Sequence, residues 1–183
     1  MKTVLAAGVA AAALVSAASA DVTVTFTNQT WTGFNFSDLT STFGGFTGSL
    51  TGVSVNATLN ASTNFTYADD LCVYVDVLPL GTGGLLQVGG FSNLSAAQRY
   101  TWANGGSSAP GTTVTGTVNL TTALAFTNNA AVDGTIWLGN GYGAAGTSGT
   151  WTGSITLIGI NAVPAPGAIA LLGLAGLAGR RRR

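Results

Sequence analysis

VSVNATL, residues 53 to 59, places Val53, Val55, Ala57 and Leu59 on one side of an extended chain and Ser54, Asn56 and Thr58 on the other. Successive side chains of a strand point to opposite faces, so this period of two predicts a strand with one buried and one hydrated face. TTVTGTVNL (112–120) repeats the pattern, with Val114, Val118 and Leu120 opposite threonines, and VTVTFT (22–27) alternates as cleanly. LCVYVDVL (71–78) is apolar on both faces apart from Asp76, which predicts a central strand. TIWL (135–138) follows the turn pair Asp133-Gly134, and WTGSITLIGI (151–160) reads as the last strand, with a flexible Gly-rich loop over 139–149 between them. No stretch from 21 to 162 carries a helical period. Roughly nine to eleven short strands at such spacing predict one all-β domain over 21–162, an antiparallel β-sandwich or jelly roll.

Charge narrows the function. Between Asp21 and Val163 the chain has one basic residue, Arg99, against six aspartates, so this middle is five units negative. A basic stripe for nucleic acid is absent, and nucleic-acid partners are excluded. There is no His and no Glu. A Ser-His-Asp or Cys-His arrangement therefore lacks its base, zinc lacks its usual ligands, and no pair of carboxyls is singled out for glycoside hydrolysis. The reading is a non-enzyme with no cofactor.

Asp69, Asp70 and Asp76 are the candidates for a calcium site, which needs several oxygen ligands, although Asp is also an ordinary turn residue. Trp31, Trp102, Trp137, Trp151, Tyr100 and Tyr142 offer either core packing or a sugar-stacking platform. Tyr142, in the Gly-rich loop, and Trp102 are the ligand candidates. Cys72 is the only cysteine, so it reads as a small buried apolar residue rather than half of a disulfide.

Both flanks read as addresses. Lys2, the apolar run Val4 to Val15 and Ala18-Ser19-Ala20 form an export signal over 1–20, with cleavage expected after Ala20. At the other flank, Val163-Pro164-Ala165-Pro166 precedes thirteen uncharged residues, Gly167 to Gly179, and then Arg180, Arg181, Arg182 and Arg183. Thirteen helical residues span about 20 Å against a hydrocarbon core of about 30 Å, which predicts a short, weak transmembrane helix. The arginines would stop it on the cytoplasmic side. The two prolines keep the preceding segment extended.

This three-part layout over 163–183 resembles the PEP-CTERM sorting signal, with Ala165 where that signal usually has Glu. The resemblance implies a membrane-anchored precursor in a bacterium. It also implies processing at the motif by an exosortase-like membrane protease and association with exopolysaccharide. A second resemblance lies in the domain. TYADDLCVYVDVL and DGTIWLGNGYGAAGTSGTWTGSITLIGI are similar to strands of the jelly-roll P domain found beside subtilisin-like proteases. The matching positions are Asp70, Leu71, Val73, Val75, Trp137, Gly149, Trp151 and Ile155.

The functional expectation is an exported structural or adhesive protein of the cell surface or extracellular matrix. Two alternatives carry distinct signatures. A carbohydrate-binding module requires an exposed aromatic row near Tyr142 or Trp102. An ice- or surface-binding protein requires a flat, regular threonine array, at which VTVTFT and TTVTGT hint, but solenoid periodicity is absent.

Overall fold

The alternating runs become long strands. The computed structural model describes residues 21–77 and 83–163. It contains β1 (Val22–Thr32), β2 (Phe36–Asp38), β3 (Phe46–Thr63), β4 (Leu71–Asp76), β5 (Leu86–Val88), β6 (Gln98–Tyr100), β7 (Thr113–Thr127), β8 (Thr135–Asn140) and β9 (Ser148–Ala162). They form two sheets, β1-β9-β3-β7 and β2-β8-β4-β5-β6, in a β-sandwich-like all-β fold. The inward faces meet in one core. Val53, Val55, Ala57 and Leu59 of β3 are buried there together with Val73, Val75, Ile136 and Leu138 of the second sheet. β4 is buried along its whole length between β8 and β5, as its two-sided apolar pattern requires. Cys72 is buried within it, and burial pushes its thiol well above the usual range.

Three expectations need correction. The pairing of β5 with β6 is parallel, unlike the rest. The link between them is held by the buried Gln87, whose Nε2 donates to the carbonyls of Gly89 and Ser92 and whose Oε1 accepts from the Leu94 amide. Short helices also occur, α1 (Leu39–Phe43) and α2 (Ala130–Asp133). Capping rather than periodicity makes α1. Asp38 accepts the Ser41 amide at 2.8 Å, and Gly44 closes the helix at φ +78°. Finally, residues 139–149 are not one loop. β8 and β9 take its ends, and Thr147 Oγ pins the turn between them by donating to the carbonyls of Tyr142 and Ala144.

The outer face of the four-stranded sheet is uncharged. None of β1, β3, β7 and β9 contains Asp, Glu, Lys or Arg. Register aligns Thr23, Thr156, Ser54 and Thr117 in one rank across the four strands. Thr25, Ser154, Asn56 and Thr115 form the next.

The two ends of the sheet differ. β3 starts at Phe46 opposite Ala162 and ends at Thr63 opposite Ser148. Asp21, whose Oδ1 accepts the Gly159 amide, and Val163, whose amide donates to the Gly45 carbonyl, both lie at the Phe46 end. At about 3.3 Å per residue, the other end is roughly 50 Å away.

Val163 is the only residue of the sorting motif among those described. Ala18, Ala20, Pro164, Ala165, Pro166 and Arg180 to Arg183 lie outside them, as do the expected signal and transmembrane helices. Among the described residues no helix is long and apolar enough to cross a membrane.

Candidate ligand-binding cleft

The cleft lies at the end of the domain away from Asp21 and Val163, where β3 hands over to β4. Asn64 and Phe65 both adopt left-handed backbone, at φ +50° and +61°. That region is costly for a bulky side chain, and Phe65 nevertheless stands 76% exposed. A short 3-10 turn, Ala68–Asp70, then leads into β4. From the other side, Gly89 and Gly90, at φ +76° and +78°, bend the chain after β5 and project Phe91, which is 75% exposed. A Cβ on Gly89 would overlap the Leu71 carbonyl oxygen and the Trp102 indole, so only glycine lets the backbone pass there.

Asp70 joins these two segments. Its Oδ2 accepts the Tyr67 amide at 2.7 Å and its Oδ1 accepts the Phe91 amide at 3.1 Å. Burial raises its carboxyl to about 6, with the neighbouring Asp69 charge adding to the rise and the two amides opposing it. Burial also raises Asp69. Arg99, on β6, donates from Nη2 to the Phe91 carbonyl at 3.1 Å and reaches the Gly90 carbonyl at 3.5 Å. Tyr142 meets Phe91 edge-to-face, with ring centroids 5.5 Å apart.

Two adjoining cavities result. One, of about 280 Å³, is lined by Tyr67, Asp69, Asp70, Phe91, Arg99 and Trp102 among others. The second, of about 220 Å³, is lined by Phe65, Tyr67, Asp70, Phe91 and Tyr142. They share Tyr67, Asp70 and Phe91. Asp69 and Arg99 line the same cavity and form no ion pair with each other. The arrangement therefore offers an acceptor, a multiple donor and exposed rings together.

A third cavity, of about 480 Å³, lies at the opposite end beside Gly45. Its one carboxylate, Asp133, is already engaged by the Thr127 amide and hydroxyl and by the Asn129 amide. Its two rings, Phe46 and Phe126, belong to the core. It offers little to a ligand that the cleft does not offer better.

The structure sorts the sequence candidates. Asp69 and Asp70 reach the cleft, but Asp76 does not. It closes the far end of β4, six residues and about 20 Å along a strand, so the three aspartates cannot share a cation. Among the described residues no group of three or more His, Cys, Asp or Glu is placed to hold a metal. Tyr142 borders the cleft, half-buried. Trp102 is not exposed as a stacking ring. It is buried in the floor, and its Nε1 donates to the Leu71 carbonyl at 2.7 Å, because the indole needs a partner once it leaves water. Trp31 and Trp151 are buried in the core 5.8 Å apart, Trp137 is half-buried on β8, and Tyr100 ties its hydroxyl to Thr121. The packing reading holds for the three buried tryptophans.

Phe65, Tyr67, Phe91 and Arg99 were not legible as site residues. The available signal was an aromatic placed directly after a turn residue, in Asn64-Phe65 and Gly90-Phe91, out of step with any strand alternation. Compared with protein-family models, curated proteins and solved structures, the chain matches none.

Proposed function

We propose that this is an exported, non-enzymatic adhesive protein of the bacterial cell envelope or extracellular matrix, and that its cleft binds a neutral glycan. The observation that carries the reading is that Asp69 and Arg99 line one cavity, unpaired with each other, beside the exposed rings of Tyr67 and Phe91. A sugar presents hydroxyls that both donate and accept, and an apolar face that rests on an aromatic ring. The five-unit negative charge of the domain disfavours an acidic polymer. The position of the cleft supports adhesion. Asp21 and Val163 leave the domain at one end, so a protein held through its tail presents the cleft outward.

In this reading the precursor is held in the inner membrane by residues 167–183 and is processed near Val163 to Pro166 by an exosortase-like protease. No P-domain activity is drawn from the strand resemblance. The test is titration of neutral and acidic bacterial exopolysaccharides against the purified protein and against Phe91→Ala. Binding of a neutral polymer that F91A weakens supports the reading. Equal binding by both proteins, or none by either, sinks it. Intact-mass measurement of the protein from envelope and medium tests the processing. A product running through Arg183 contradicts it.

A further inference from the structure

We propose that the end of the domain that carries the cleft docks on a lipid bilayer with zwitterionic headgroups, by pressing loop-borne aromatic rings into its interface. This goes beyond the glycan reading and stands without it. Among the described residues six large apolar side chains are strongly exposed, and they are unevenly placed. The four aromatic ones, Phe34, Phe65, Tyr67 and Phe91, all lie at the end away from Asp21 and Val163. Val77 and Val132, which follow β4 and lie in α2, are at the other end.

Phe34 joins the rings of the cleft through the turn between β8 and β9. β1 ends at Thr32 opposite Ser148, and Phe34 follows two residues later. Its ring lies on Gly143, where a Cβ would overlap it. Tyr142, the neighbour of Gly143, meets Phe91, and Phe91 shares a cavity with Phe65. Four loops, 33–35, 64–67, 89–92 and 141–147, thus present one continuous aromatic surface. Hydrogen bonds hold them together. The Gly33 amide donates to the Thr147 carbonyl at 2.8 Å, Asn64 Nδ2 to the Gly146 carbonyl at 3.1 Å, and the Ser92 amide to the Gly141 carbonyl at 3.0 Å. A surface fixed in advance binds with a smaller entropy cost than one that must order itself.

The chemistry of these loops fits a bilayer interface. They contain no Asp, Glu, Lys or Arg, so entry among the headgroups strips no ion of its water. Phenyl rings, which need no hydrogen-bond partner, are the most exposed, and the tyrosines beside them suit the wet side of the interface. The four exposed rings offer roughly 500 Å² of apolar surface. That exceeds a scatter of single residues, yet falls short of the ~800 Å² that each partner contributes to a stable protein interface. A bilayer demands no matching shape, and its interface admits apolar groups to a depth of about 5–10 Å. The five-unit negative charge of the domain selects zwitterionic over anionic lipid.

The test uses the full chain with a tryptophan reporter, Phe34→Trp, and vesicles of phosphatidylcholine with brominated or ordinary acyl chains. Bromine quenches an indole that reaches the chains. Three native tryptophans are buried and Trp137 is half-buried, so quenching of F34W is expected to exceed that of the wild type several-fold. Phe65→Trp reports on the same surface and decides the matter if Phe34→Trp does not fold. Phe65→Ser added to F34W should weaken vesicle binding about tenfold, the equivalent of one buried ring. Val132→Trp marks the other end. Quenching of V132W without F34W means that residues 167–183 alone hold the membrane, and it overturns the proposal, as does quenching of neither. Stronger quenching when anionic phosphatidylglycerol replaces part of the lipid overturns the choice of headgroup. Dimerisation of the wild type that Phe65→Ser abolishes, with no quenching, assigns the surface to a second copy instead. Phe34 lines neither cavity of the cleft, so Phe34→Ser should leave glycan binding unchanged, and a failed glycan titration leaves the quenching result standing.

Discussion

The Phe91 amide donates to Asp70 Oδ1 at 3.1 Å, and this bond ties an exposed ring beyond β5 to the entrance of β4. The other oxygen of the same carboxylate takes the Tyr67 amide. One buried side chain therefore sets the spacing between two rings of the cleft. Shape at this end depends on Asp70 even though Asp70 need not touch a ligand.

Replacing Asp70 by Asn leaves one acceptor and turns an amide donor toward an amide donor. The expected loss is about 1–3 kcal/mol of stability, the usual cost of an unsatisfied buried polar group. Chemical denaturation measures it. Glycan affinity should fall alongside, because the Phe91 and Tyr67 segments lose their common anchor.

The pH dependence of stability has a definite sign. Burial lifts the folded-state value of Asp70 from 3.8 to about 6, so the native protein holds this proton more tightly than the unfolded chain does. Ionisation of Asp70 then costs stability, with the cost growing between 3.8 and about 6 and complete above that. Asp69 shifts in the same direction. Burial works to raise Asp133 as well, but hydrogen bonds from Asn129 and Thr127 win and lower it, so its contribution is present at neutral pH and lost in acid. Wild type should thus gain melting temperature relative to Asp70→Asn on acidification from neutrality toward the Asp70 midpoint. Parallel melting curves for the two proteins would contradict this.

In the cleft itself, Phe91→Ala should weaken glycan binding about five- to tenfold, the equivalent of roughly 1 kcal/mol of ring contact. Arg99→Ala should weaken it by at least as much, since hydrogen bonds from a charged donor contribute about 1.5–3 kcal/mol. Isothermal titration with the bound polymer measures both. Neither change touches the buried core, so melting temperature should move little.

Trp151→Ala should cost about 3–5 kcal/mol, as expected for a large buried ring. Trp151 is fully buried against Trp31, and its Nε1 donates to the Ala68 carbonyl at 3.1 Å, at the base of the turn that carries Asp69 and Asp70. Denaturant midpoints should show the loss, and Trp151→Phe should recover most of the packing but not this bond.

Gly90→Ala should also destabilise, by about 1 kcal/mol or more. A Cβ there would stand 2.9 Å from the Gly141 Cα, and φ is +78°. The thermal midpoint reports it, with Ala123→Lys as a neutral comparison on an exposed strand position.

Local pattern made the strands legible. Val53, Val55, Ala57 and Leu59 alternate because each must reach the core, and LCVYVD is apolar on both faces apart from Asp76 because β4 lies between two strands and under a sheet. The charge inventory was equally direct, because an absent histidine is absent in any fold. Pairing was another matter. Asp69, Arg99 and Phe91 meet only because β4, β5 and β6 lie side by side, and no local period records which strands become neighbours or that β5 and β6 run parallel. Trp102, a ligand candidate in the sequence, and Phe91, which no sequence pattern singled out, took different places. The indole went to the floor, where the Leu71 carbonyl satisfies it, and the phenyl ring went to solvent, where a pair of left-handed glycines and the Asp70 carboxylate hold it. The threonines of β1 and β7 were visible as a repeat in each strand. That they share ranks with β9 and β3 was decided by register, a property of the assembled sheet in which residues more than a hundred positions apart become neighbours.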